Sequence, residues 1–233
     1  MYDIPFPNPD EMQQLKELAT YYKFHAKDFI KQEFISFFDE EAIEINTWVR
    51  MLAQRLHEIN FSYIMSSYYY ERGIPDEPYY DKETNKYFPE FTSEHWTNKE
   101  GFEFYSEVFL FKASSALDTM AHILSINFEM KWDGKMIYFG PAVQKLKLID
   151  PSRFNKLNAI IKSENFKRIK ILRNNSAHNI SPGQVDSGIY KDKNGITISS
   201  IGRYTNVSKR YELMTAYKDS VFEIVNLIKQ TSL

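Results

Sequence analysis

The chain has 233 residues, 43% of them hydrophobic and 16% aromatic, enough for one large core, and a single domain over 1–233 is expected. With no cysteine, disulfides, thiolate zinc sites and cysteine nucleophiles are excluded. Formal net charge is −2, yet residues 143–210 carry fourteen Lys or Arg against four acids (Asp150, Glu164, Asp186, Asp192), a bias that suits either a polyanion-facing surface or a set of solvated helix faces.

The first residues, MYDIPFPNPDEM, lack the basic start and apolar core of a signal peptide, and no apolar run reaches membrane-spanning length, so a cytoplasmic protein without a membrane partner is expected. Asn8 and Pro9, followed by Asp10 and Glu11, predict a helix start, with the helix running past Tyr21. Asp39 is placed to cap a second, long helix in which Ile45, Trp48, Val49, Leu52, Leu56, Ile59 and Tyr63 recur at three- and four-residue steps until Gly73 and Pro75 end it. Residues 72–97 hold three prolines, many acids and a cluster of aromatics, which predicts a long excursion with little regular structure. The tyrosines at 68–70, 79, 80 and 87, with Phe88 and Trp96, could stack bases. The neighbouring Asp76, Glu77, Asp81 and Glu83 favour packing over the bundle or a partner surface instead.

A third helix is expected from near Lys99 to Leu124, apolar or small on nearly every side over 108–124 and therefore central. Asp118 and His122 interrupt it one turn apart on one face. Burying them unpartnered would cost several kcal/mol or so, which predicts hydrogen bonds or a counter-charge, with Arg173 the candidate for Asp118. As metal ligands the pair lacks a third member, and no metal or other cofactor is implied. After a Gly134 turn, a short strand or loop leads to a helix from Pro151 to about Ser163, then another that stops near Asn179 before Ser181, Pro182 and Gly183. Residues 188–200, with Asn194 and Gly195 between Ile189 and Ile196, predict a β-hairpin. Met214, Tyr217, Val221, Ile224 and Ile228 mark a final packed helix. The fold class is all-α, a bundle of about five to six helices with a small β-hairpin and a long aromatic loop.

The chemistry concentrates in residues 172–179, LRNNSAHN. Arg173 offers a permanently cationic fork of donors to a phosphate, and His178 can transfer a proton near neutrality. That is the pair a metal-free ribonuclease would need: if it is catalytic, the chemistry is RNA cleavage by the neighbouring 2'-hydroxyl, with Asn174 adding a hydrogen bond to a phosphate oxygen and Asp118 orienting Arg173. On an ideal helix the two side chains stand about 140° apart around the axis, so they do not converge unaided. Either the helix unwinds after Asn175, or two chains meet and the Arg of one serves the His of the other. Arg50 and His57 show a similar spacing, but inside the long second helix and with Met51 after the Arg. The remaining histidines, His25 and His95, read with His57 as surface or packing residues.

LRNNSAHN at the end of a late helix resembles the signature of the HEPN superfamily, in which Arg, a polar residue and then His follow within a few positions. ALDTMAHIL, residues 116–124, is similar to the acidic helix that faces this motif in several members. The resemblance implies a helical bundle, a homodimer with paired motifs in a shared cleft, and metal-independent ribonuclease activity in toxin or phage-defence settings, with RNA as substrate and an antitoxin or regulatory protein as partner. On that basis Arg173, His178 and Asn174 are the catalytic residues, supported by Asp118 and His122. Ile180 stands where subfamilies paired with a small nucleotidyltransferase carry Tyr, so modification by such a partner is not implied. The alternative is a non-catalytic helical module that binds nucleotide, RNA or a protein at the same site.

Overall fold

In the computed structural model, residues 5–20, 25–29, 40–134, 136–179 and 181–229 are described. Helix α1 (Pro9–Leu15) begins as the sequence predicts. The Asn8 side chain accepts from the Asp10 and Glu11 N–H groups, Glu11 accepts from the Asn8 N–H, and Pro9 sits in the first turn, where a missing donor costs nothing. The helix does not run past Tyr21. It ends at Leu15, tightens into a 3-10 turn (Lys16–Leu18) and is extended by Ala19. The cause is tertiary: Asn60 accepts from the Thr20 N–H (3.2 Å) and donates to the Thr20 carbonyl (2.9 Å), while the buried Lys218 donates to the Leu18 carbonyl (2.9 Å). These side chains take the place of the next helical partners. Tyr69 donates to the Pro5 carbonyl (2.7 Å) and Asn127 to the Phe29 carbonyl (2.5 Å), so the bundle grips its N-terminal segment by the main chain.

Helix α2 (Glu40–Glu71) buries Ile45, Val49, Leu52, Leu56, Ile59 and Tyr63 on one stripe, with Trp48 half-buried beside it. Its expected cap, Asp39, lies outside the described residues. Helix α3 (Ser93–Asn127) pairs with α2 along the bundle and starts six residues earlier than Lys99. Thr92 accepts from the His95 N–H (3.3 Å), and the His95 ring accepts from the Thr92 N–H (3.2 Å), a histidine doing what Glu or Gln does in the usual capping box. Phe102, Phe109, Ala113, Ala116, Met120, Ala121, Ile123 and Leu124 on α3 are fully buried, which makes it the central helix. Each of the larger side chains contributes roughly 1.5–3 kcal/mol by leaving water.

The 72–97 excursion is more ordered than its composition suggests. It contains a short hairpin of β1 (Tyr80–Asp81) and β2 (Lys86–Tyr87), and Phe88 packs against Trp96 and Tyr204. Buried Asp76 accepts from the Tyr204 hydroxyl (2.6 Å) and the Val207 N–H (2.7 Å). The second hairpin, β3 (Ile189–Lys191) with β4 (Thr197–Ser199), is the one expected around Asn194 and Gly195. Hydrogen bonds from Tyr79 to the Gly202 carbonyl (3.0 Å) and from Tyr87 to the Ile201 carbonyl (2.7 Å) join the two excursions.

One element departs from expectation altogether. Where a strand or loop is predicted after Gly134, the chain forms helix α4 (Phe139–Ile149), burying Phe139, Ala142, Val143 and Leu146. Gly140 and Pro141 fall in its first turn, where proline's missing N–H is harmless, and Asp118 on α3 accepts from the Phe139 N–H (3.3 Å) in place of a local cap. Helices α5 (Pro151–Lys162) and α6 (Glu164–His178) are capped by Asp150 and Ser163, and α7 (Val207–Ile228) buries Met214, Tyr217, Val221, Ile224 and Ile228. The fold is the expected all-α bundle, with seven helices against the expected five to six and two small hairpins, 67% helix, among the described residues.

Candidate functional site

Helix α6 docks through Phe166 and Ile169, both buried, and its last turn carries the Arg173 to His178 segment. That turn stays helical: the Asn179 N–H donates to the Asn175 carbonyl (2.9 Å). The chain therefore does not unwind after Asn175, and the local route to convergence of Arg173 and His178 is not taken. Arg173 is half-buried, whereas His178, the last residue of α6, is exposed.

The Arg173 guanidinium donates through Nη1 to the side-chain oxygen of Asn174 (3.0 Å), while its buried Nε finds no acceptor among the described residues. Asn174 thus holds Arg173, and its own amide nitrogen donates to no described residue. The expected ion pair between Arg173 and Asp118 does not form; none links them within 4.0 Å. Asp118 uses its carboxylate to cap α4, and Arg173 acts on it only through space. Burial raises the Asp118 pKa above the usual carboxylate value, and the Phe139 N–H, Arg173, Arg55 and His122 offset only part of that rise.

His122 finds a ring rather than a counter-charge. It stacks on Trp48 of α2 with centroids 3.8 Å apart and planes 12° from parallel. Burial lowers its pKa and Arg55 adds to that, against the opposing pull of Glu44 and Asp118, a balance that shifts the imidazole toward its neutral form. Asp118 and His122 gather no third His, Asp or Glu among the described residues.

Sequence reasoning missed Arg55. It stands on the shoulder of the buried α2 stripe, between Leu52 and Ile59, and its Nη1 donates to the Ser115 carbonyl and to Thr119 Oγ1 (2.6 Å) on α3. A cation at that helical position was the available signal. On the other side of α3, the residues after the motif are held firmly. Lys99 donates to the Gly183 carbonyl (2.6 Å) and to Glu103, Ser181 donates to Glu107 (2.9 Å), and the missing Cβ of Gly183 lets the Glu103 carboxylate lie against its backbone.

Among the described residues no helix is long and apolar enough to cross a membrane. A family model for Cthe2314-like HEPN domains matches residues 48–226. No curated protein and no solved structure matches the chain.

Proposed function

Because the chain belongs to the Cthe2314-like HEPN family, we propose that it is a metal-independent endoribonuclease whose site is completed by two copies of the chain. HEPN domains are typically associated with ribonuclease activity. The observation that carries the reading is the split disposition of the motif on an intact helix. Arg173 sits half-buried with an Nε that has no acceptor among the described residues, and His178 stands exposed at the helix end, about 140° further round on ideal helix geometry. An arginine so placed suits a phosphate better than a structural ion pair, and an exposed histidine suits proton transfer with a substrate brought from outside.

In the proposed reaction the 2'-hydroxyl gives up its proton and its oxygen bonds to the adjacent phosphorus. The bond from phosphorus to the 5'-oxygen breaks, that oxygen takes a proton, and a 2',3'-cyclic phosphate remains. His178 is the proton-transfer group, Arg173 stabilises charge on the non-bridging oxygens, and Asn174 orients the guanidinium. Asp118 and His122 shape the inner wall near Arg173. The activity fits a toxin or phage-defence role in the cytoplasm, restrained by an antitoxin or regulatory protein.

If no second copy brings Arg173 and His178 together, the second reading follows, a module that binds RNA, nucleotide or protein without cleaving. Incubation with mixed-sequence RNA in EDTA separates the two. Cleavage by the wild type, leaving cyclic phosphate ends and lost in Arg173→Ala and His178→Ala, supports the nuclease; intact RNA at high protein concentration refutes it.

A further inference from the structure

Asp118 on α3 feels the charge of two guanidinium groups, only one of which belongs to the motif. Arg173 acts on it through space from α6. Arg55 reaches its two flanks from α2, through the Ser115 carbonyl one turn before it and the Thr119 hydroxyl beside it. Only Nη1 of Arg55 is used in this anchoring, and Nε and Nη2 donate to no described residue. Anchoring by one nitrogen fixes the plane of the fork and leaves its other edge, two parallel N–H groups, free to bind two oxygens of one anion.

The surrounding acids are already engaged. Glu58 pairs with Lys112 (2.9 Å), and Glu44 accepts from the Trp48 indole N–H (3.2 Å). Asp118 caps α4. No carboxylate pairs with Arg55 within 4.0 Å among the described residues, and on the same two helices the half-buried rings of Trp48 and His122 stack on each other.

We infer that Arg55 is a phosphate-binding residue for single-stranded RNA, gripping a phosphodiester by Nε and Nη2 across α3 from Arg173. It rests on the ribonuclease reading for its substrate class and adds to it a cation from outside the motif, on a different helix and 118 positions away in sequence. Ser115 and Thr119 are the positioning groups that hold the fork in place.

The test is fluorescence anisotropy with a labelled 2'-O-methyl oligoribonucleotide, which cannot be cut by 2'-hydroxyl attack, titrated over a KCl series in EDTA. Against wild type, Arg55→Met is expected to bind about tenfold more weakly and to reduce the slope of log Kd against log salt by about 0.7 to 1. Arg55→Lys, which keeps the charge but loses the fork, should recover the slope without the affinity. Unchanged Kd and slope in Arg55→Met, with wild-type unfolding temperature, overturns the assignment and leaves the nuclease reading intact. If Arg55→Met fails to fold, a folded Arg55→Lys with wild-type affinity overturns it equally. Wild type that binds the oligonucleotide through Arg55 but never cleaves RNA refutes the nuclease reading alone, and wild type that binds no oligonucleotide removes both.

Discussion

Mixing two dead variants should restore activity, if each site takes its arginine from one chain and its histidine from the other. The intact last turn of α6 leaves Arg173 and His178 about 140° apart around the helix and about 7.5 Å apart along it, so one chain alone does not bring them to one phosphate. In a dimer of Arg173→Ala with His178→Ala, one site receives both substitutions and the other receives neither. Equal mixing with free exchange makes about half of the dimers mixed, each with one working site of two, so about a quarter of wild-type activity should return. The assay is initial-rate cleavage of RNA in EDTA by each variant alone and by the two after joint unfolding and refolding, with light scattering to show that both are dimeric. No recovery in a confirmed mixed dimer refutes the composite site, and so would a wild type that is monomeric yet fully active.

Other consequences can be checked on the folded chain itself. Asp118 has a folded-state pKa above its ordinary value, so the stability it contributes is full below about pH 4 and is lost as pH rises through the raised value. Asp118→Asn, which keeps an acceptor for the Phe139 N–H, should flatten that fall in a pH series of thermal unfolding. Ile59→Ala, in the fully buried stripe of α2, should cost about 2–5 kcal/mol in urea denaturation. Loss of the Asp150 cap in Asp150→Ala should cost about 1 kcal/mol, read the same way. Gly183→Ala would drive a methyl group into the Glu103 carboxylate and should destabilise by about 1–3 kcal/mol; an unchanged unfolding midpoint would mean that the loop after the motif simply moves aside.

The long helices were legible because their apolar spacing agrees with what they bury: the α2 stripe from Ile45 to Tyr63 and the α7 stripe from Met214 to Ile228 are both internal. The divergence of Arg173 and His178 was equally legible, since it follows from helical geometry once the turn is known to be intact. What escaped depended on distant partners. Helix α4 begins with Phe139, Gly140 and Pro141, a run that locally signals a turn, and its cap is supplied by Asp118 from another helix. Helix α1 stops where Asn60 and Lys218 take over the backbone partners of Thr20 and Leu18. Helix α3 starts early because His95 completes a cap that the usual Glu or Gln pattern does not include. Arg55 left no motif because its anchors, a carbonyl and a hydroxyl on α3, lie 60 and 64 residues away.

Tyr69, Asn60, Lys218 and Asn127 hold the N-terminal segment at Pro5, Thr20, Leu18 and Phe29 through its peptide groups. A peptide group is the same whichever side chain it carries, so these contacts do not read the sequence they bind. Beyond the apolar side chains that pack on the core, Met12, Leu15, Leu18, Ala19 and Phe29, the described residues of the segment are free to drift under mutation while its attachment persists. The polar share of keeping it in place falls on four side chains of the bundle, and substitutions there should loosen it whatever its own sequence.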